Sequence, residues 1–244
     1  MYFYLRRRFG DTITSPIRWA AVAVAVAGAT VGSKLLFLFE DPQLTLRSLH
    51  DPAYLMGGKT IVGALFFGVL AVEGMKRYIG LKQSTGDLYA IPLAAGIAIG
   101  RIGCFLTGLS DNTYGTASTL PWAIDFGDGV RRHPTQLYEI VFLLALIPFL
   151  YRIMRSLQNE PAPGRFQPGD AFKVFMVAYM FFRLVCDFIK PYPRILFGLG
   201  GIQWACLLAL IYYSRDLFRW LHLPNTRRAA PESMLRSPGN GVNG

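Results

Sequence analysis

The chain is poor in carboxylates and imidazoles: 15 of its 244 residues are Asp or Glu and three are His, against 25 Lys and Arg. All charged residues together make up 16% of the sequence, where soluble domains carry roughly a quarter. Cysteine is equally sparse. Cys104, Cys186 and Cys206 all fall in apolar segments with no CxxC pair, which excludes a disulfide framework and a zinc site. No internal repeat, coiled-coil heptad or nucleotide-binding glycine loop is present, and no metal or cofactor is called for. The short Asp125-Phe-Gly-Asp-Gly run has too few oxygen donors for calcium and reads as a turn.

What remains is apolar: 52% of residues are hydrophobic. The net charge of +10 could suggest nucleic acid. However, the basic residues gather at the ends of apolar segments instead of forming one stripe, which is the pattern of a membrane protein. Six apolar segments can be counted. The first follows Arg18 and runs through Phe39; Ala27-Gly28-Ala29 offers a signal-cleavage site, but the run resumes after Lys34 as LLFLF, so it reads as an uncleaved anchor of bilayer length. The others are Thr60–Gly74, Leu88–Gly108, Gln136 to about Tyr151 with Pro148 as a candidate kink, Phe172–Ile189, and Ile195–Ser214. The last is twenty residues without charge and gives the plainest transmembrane signal. Gly96, Gly100, Cys104 and Gly108 recur every four residues, predicting a face that packs closely on another helix.

The fold expected is therefore all-α: a polytopic integral membrane protein of about six transmembrane helices. A head loop of about residues 110–132 sits within a membrane domain of residues 1–218, and a disordered cytoplasmic tail covers 219–244. Basic residues dominate the N-terminus, the Lys76–Lys82 and Arg152–Lys173 loops and the C-terminus. By the positive-inside rule both termini are cytoplasmic and the head loop, with Asp111, Asp125 and Asp128, lies outside.

Chemistry concentrates in GRIGCFLTGLSDNTYG, from Gly100, and RHPTQLYE, ending at Glu139. Arg101 is set in an uncharged run, where a cation in a bilayer is costly and usually faces a cavity or an anion. Its fork can grip a phosphate or ester oxygen; the rival is an internal pair with Asp187 or Glu139. Tyr179, Arg183 and Asp187 are spaced i, i+4, i+8, with Lys190 three further on, so they form a polar stripe on an apolar helix. Arg183 and Asp187 either satisfy each other or share a site. His133, Gln136, Tyr138 and Glu139 open a helix; His133 can serve as a base or as part of a hydrogen-bonded lock between loop and helix. Cys104 reads as packing rather than nucleophile, and Glu73 with Lys76 and Arg77 as a solvated helix end.

These motifs resemble those of bacterial prolipoprotein diacylglyceryl transferases, inner-membrane enzymes that move diacylglyceryl from phosphatidylglycerol to the cysteine of a lipoprotein precursor. The resemblance implies that Arg101 and Arg183 are catalytic. It also implies that Gly115, His133, Gln136, Tyr138, Glu139 and Asp187 bind substrate, that no cofactor is needed, and that the partners are phosphatidylglycerol and a prolipoprotein. YMFFRLVCDFIKP matches the family's second arginine segment more loosely, with Asp187 in place of a glutamate and Lys190 of an arginine. Val62 stands where the family carries a histidine and Cys104 where it carries an asparagine; the first span, with GSKLLFLFE, corresponds to the family's second. Alternative readings are transfer to a different acceptor, or a phospholipid-binding or transport protein that keeps the arginine pocket. The topology is tested by single-cysteine labelling at Thr116 in a cysteine-free background. Labelling without permeabilising the inner membrane is the outcome expected; labelling only after permeabilisation contradicts the orientation.

Overall fold

The computed structural model describes residues 1–10, 13–159 and 166–222. It is mostly helical: α1 (Tyr2–Phe9), α2 (Ser15–Glu40), α3 (Pro42–Arg47), α4 (Pro52–Met56), α5 (Ile61–Tyr78), α6 (Asp87–Thr107), α7 (Thr135–Asn159), α8 (Asp170–Cys186), α9 (Gly201–Tyr212) and α10 (Ser214–His222). Two 3-10 turns, Gly108–Asp111 and Asp187–Ile189, extend α6 and α8. The strands β1 (Ile124–Asp125) and β2 (Arg131–Arg132) form one small antiparallel hairpin.

Local chemistry sets the helix starts. Asp41 and Asp51 accept hydrogen bonds from the Leu44 and Ala53 amides, with Pro42 and Pro52 at the first helical positions, where a missing N–H costs nothing. Thr60 caps α5 by accepting from the Gly63 amide. α8 is the central helix, packed against α5, α6, α7 and α9, and its Phe175, Met176, Tyr179 and Met180 are fully buried.

The helix surface inverts the usual order of a soluble protein. Val26, Val31, Ile99, Leu106, Val141, Leu144, Phe181 and Ile211 are exposed, whereas Arg101, Glu139, Arg183 and Asp187 are buried. Such a surface is stable against hydrocarbon, not water. Three helices, Ser15–Glu40, Asp87–Asp111 and Thr135–Gln158, are long and apolar enough to cross a membrane.

Several expectations change. The segment read as the plainest span, Ile195–Ser214, supplies only the 12 residues of α9, about 18 Å at 1.5 Å per residue against a core of about 30 Å. Pro191 and Pro193 keep the chain before it extended, and Leu196 and Leu199 close a tight turn around Phe197 (φ 52°) and Gly198 (φ 74°). α7 continues through Pro148 to Asn159, past the end expected near Tyr151. The tail boundary at 219 falls inside α10: Arg219 and Trp220 both donate to buried Asp170, pinning α10 to the start of α8. Residues 223–244 of the expected tail and 160–165 of the expected basic loop lie outside the described residues. The basic N-terminal residues, expected to lead into the first anchor, form a separate helix, α1, packed on α6 and α7.

The small-residue stripe of α6 also does something else. A methyl group built on Gly96 or Gly100 would meet nothing within 4 Å, so that face lies open there. Close helix contact is made between α2 and α5: a methyl on Gly32 would sit 2.2 Å from Phe67 Cβ, and one on Gly63 would sit 2.4 Å from the Gly32 carbonyl. Gly32→Leu is therefore expected to lower detergent-solubilised stability by about 1–3 kcal/mol or more. Gly96→Leu should change it by less than about 0.5 kcal/mol. Thermal unfolding of the two variants checks both values.

Candidate active site

Three helices, α6, α7 and α8, bring the site together. Glu139, one turn into α7 and 1% exposed, lies at its centre. Its Oε1 accepts from the Tyr179 hydroxyl of α8 at 2.7 Å. Its Oε2 lies 2.9 Å from Arg101 Nε of α6 and 4.0 Å from Arg183 Nη1 of α8. The Arg101 Nε–H does not align on the carboxylate as a hydrogen bond, so that contact is an ion pair held by charge. Arg183 donates from Nη2 to Asp187 Oδ1 at 3.0 Å, one turn further along. Of the two internal partners considered for Arg101, the structure selects Glu139; Asp187 belongs to Arg183.

Burying two guanidinium groups and two carboxylates is tolerable only because each faces an opposite charge. Removing one member of such a pair costs about 3–5 kcal/mol. Each arginine nevertheless keeps donors to spare. Arg101 Nη1 meets only the Cys104 sulfur, at 3.7 Å, and Arg183 Nε has no partner among the described residues. Cys104 is half-buried at the edge of the open face of α6, beside the arginine rather than between helices.

Gln136 is 1% exposed, and neither its amide oxygen nor its amide nitrogen has a hydrogen-bond partner among the described residues. Buried amides are almost always paired, and these two atoms are an exception to that rule. Gly115 joins the loop to the helices. Its amide donates to the His133 carbonyl, the Thr116 amide to the Ile189 carbonyl, and the His133 amide to the Thr116 carbonyl. A methyl on Gly115 would lie 2.6 Å from His133 Cβ and 2.9 Å from the Ile189 oxygen, which is why glycine stands there. Thr135 adds a hydrogen bond to the Thr113 carbonyl at 2.6 Å.

The His133 ring is tied to Tyr138, with Nδ1 3.2 Å from the hydroxyl oxygen, which also accepts from Trp122 Nε1 at 2.8 Å. Together these bonds make the lock between loop and helix. In the hairpin, Asp125 Oδ1 accepts from the amides of Gly127, Asp128 and Gly129, as a turn requires. The hydrogen bond from Arg132 holds the Asp128 carboxyl below the ordinary carboxylate range.

Sequence spacing placed Tyr179 on the stripe without revealing its bond to Glu139. It missed Arg194 and Gln203 altogether. Arg194 donates to the carbonyls of Asp187 and Phe188 and to Gln203 Oε1, and Gln203 Nε2 donates to the Leu184 carbonyl. Arg194 thus fixes the turn that carries Asp187, but it lies in a segment with no periodicity to place it. Val62 is fully buried in the apolar core and offers no polar group.

Gln136 provides the direct test. Gln136→Leu removes two unsatisfied buried atoms, so it should leave thermal stability unchanged or raised. The same variant should release co-purifying anionic phospholipid, measured by mass spectrometry of extracted lipid.

A chain with this arrangement has many relatives. The family model described as prolipoprotein diacylglyceryl transferase matches residues 2–219. Among curated relatives named phosphatidylglycerol–prolipoprotein diacylglyceryl transferase, that of Glaesserella parasuis is 30% identical over 174 residues, 68% of this chain and 59% of the relative. Those of Leptothrix cholodnii and Solidesulfovibrio magneticus are 30% and 32% identical, covering 76% and 78% of this chain and 71% of each relative. The match thus spans 59% of the length of the Glaesserella protein and somewhat more of the other two. With the family model covering nearly all the described residues, this chain belongs to the prolipoprotein diacylglyceryl transferase family.

Proposed function

We propose that the protein transfers diacylglyceryl from phosphatidylglycerol to the cysteine thiol of a prolipoprotein. The observation that carries this reading is the buried Arg101–Glu139–Arg183 cluster, which leaves guanidinium donors unspent, with the Gln136 amide, unpartnered among the described residues, three residues before Glu139 on α7. The names of the relatives supply the two substrates. The acceptor sulfur attacks the glycerol carbon bonded to phosphate. The carbon–oxygen bond breaks, glycerol phosphate leaves with the electron pair, and the thiol proton passes to water. Arg101, oriented through Nε by Glu139, turns its terminal nitrogens toward the phosphate, and Arg183 stabilises the charge that grows on the leaving group. Fixed charges in a water-poor site do this without reorganising.

The protein sits in the bacterial inner membrane with about six helices across it, the short α9 crossing together with the extended segment before it, and with both termini in the cytoplasm. The hairpin segment lies outside, where Gly115, His133 and Tyr138 close over the lipid head group and Asp187 holds Arg183 in place. The exposed apolar helix faces and the loop charges support that placement.

The test is complementation of a strain depleted of its own transferase, with lipoprotein mass as the readout. The native chain should restore the diacylglyceryl increment. Arg101→Lys keeps the charge but not the fork, and cannot face Glu139 and phosphate together, so it should lose most of the product while remaining folded. Absence of the mass increment with a folded native chain would overturn the proposal.

A further inference from the structure

The cluster just described is electrically balanced before any substrate enters: Arg101 and Arg183 face Glu139 and Asp187. One buried cation is left over. Lys190, directly after the 3-10 turn that carries Asp187, is 3% exposed, and its ammonium has no hydrogen bond or ion pair with any described residue. The ammonium lies against the ring of Tyr192, 5.4 Å from Nζ to the centroid. A buried lysine without a partner is rare and costly, and a ring face compensates only part of a lost hydration shell. The charged and titratable groups around it are Arg183, Asp187 and Cys186 from α8 and its turn, Arg101 from α6, Glu139 from α7, Glu40 from the end of α2, and Tyr192. Both Glu139 and Asp187 are already engaged by arginines. Glu40 is only half-buried and makes no ion pair with Lys190 at 4.0 Å or less.

We propose that Lys190 is the counter-charge for the phosphate of the bound ligand: its ammonium completes its hydrogen bonding on a singly charged phosphodiester and so selects anionic phospholipid over neutral lipid. This rests on the proposed reading of the site and names the residue that supplies its excess charge. One surplus positive charge meets the single negative charge of a phosphodiester, leaving the occupied site neutral.

Because the group is a lysine, the grip is sensitive to alkali in a way an arginine's is not. Burial above all, and Arg183 next, push the Lys190 ammonium down to about 8. An anion that binds the charged form is held equally well below that value and progressively less well above it. Affinity should fall roughly tenfold between pH 7 and pH 9 as the free protein's lysine loses its proton.

The experiment measures binding of dioleoyl phosphatidylglycerol in mixed micelles to the purified full chain between pH 6.5 and 9.5, with dioleoylglycerol and inorganic phosphate as parallel probes. In the native protein, phosphatidylglycerol should bind more tightly than dioleoylglycerol and weaken about tenfold from pH 7 to 9. Lys190→Met should weaken phosphatidylglycerol at least tenfold at pH 7 and leave dioleoylglycerol unchanged. Lys190→Arg should bind within about threefold of native at pH 7 and stay flat to pH 9.5, a comparison that stands even if the Met variant fails to fold. Inorganic phosphate competing at similar affinity would make the site one for free phosphate and overturn the lipid assignment. Loss of affinity at the same pH in native and Lys190→Arg proteins would overturn the role of Lys190, and so would unchanged binding in Lys190→Met. Failure of the transferase reading would appear separately, as intact binding without any thioether product.

Discussion

The ion pair between Glu139 and its two arginines is the constraint on which the rest of the site depends. One carboxylate from α7 receives Arg101 from α6 and faces Arg183 from α8, while its second oxygen takes the Tyr179 hydroxyl. Three helices that otherwise meet through apolar side chains are thereby held in one rotational setting at one depth. In hydrocarbon none of these charges could be left alone, because the penalty for a single unpaired ion exceeds what nearby packing supplies. The pairing is incomplete in a useful sense: Glu139 and Asp187 neutralise the two guanidinium groups without exhausting their donors. Charge balance and unspent hydrogen bonds can thus coexist in a site awaiting an anion.

Around that centre the structure separates two jobs. The helices face outward with Val26, Ile99, Leu106, Val141 and Phe181, a surface suited to lipid tails. The segment between α6 and α7 is tied down by backbone bonds from Gly115, Thr116 and His133, so the polar end of the site has a fixed rim. At the opposite end of α8, Asp170 gathers Arg219 and Trp220, and Asp87 accepts from the amides of Gly169 and Phe172. These contacts anchor the central helix at the end away from the chemistry. The turn from Asp187 to Gly200 is held by hydrogen bonds from Arg194 and Gln203.

Much of this was legible in the residues. Uncharged runs between basic clusters gave the long helices, because crossing a bilayer leaves little choice of composition. Arginines inside such runs announced themselves by their cost. The spacing of Tyr179, Arg183 and Asp187 put them on one face before any coordinates. What sequence could not supply was partnership. Both Glu139 and Asp187 were candidate partners for Arg101, and nothing in the spacing decides between residues on different helices. The four-residue repeat on α6 looked like a packing face, yet Gly96 and Gly100 are open while Gly32 and Gly63 make the close crossing; periodicity shows that a face is smooth, not what lies against it. Ile195–Ser214 yields a helix of only 12 residues because hydropathy weighs composition, whereas Pro191, Pro193 and the Gly198–Gly201 cluster govern where a helix can begin. Lys190 was visible as the last polar residue of the stripe. Its lack of a partner emerges only once Glu139 and Asp187 are seen to be engaged by arginines.

The claim that Glu139 is the knot of the site is tested most directly by a double-mutant cycle on stability. Thermal or denaturant unfolding in detergent would be measured for Glu139→Gln, Arg101→Gln and the pair. Glutamine keeps the size of the glutamate and an acceptor for Tyr179 while removing the charge. Each single change should cost about 3–5 kcal/mol by stranding a buried charge. The double variant should recover at least about 1 kcal/mol relative to the sum of the two, the coupling expected of residues in direct contact. Strict additivity, or a Glu139→Gln protein as stable as the native one, would contradict the account.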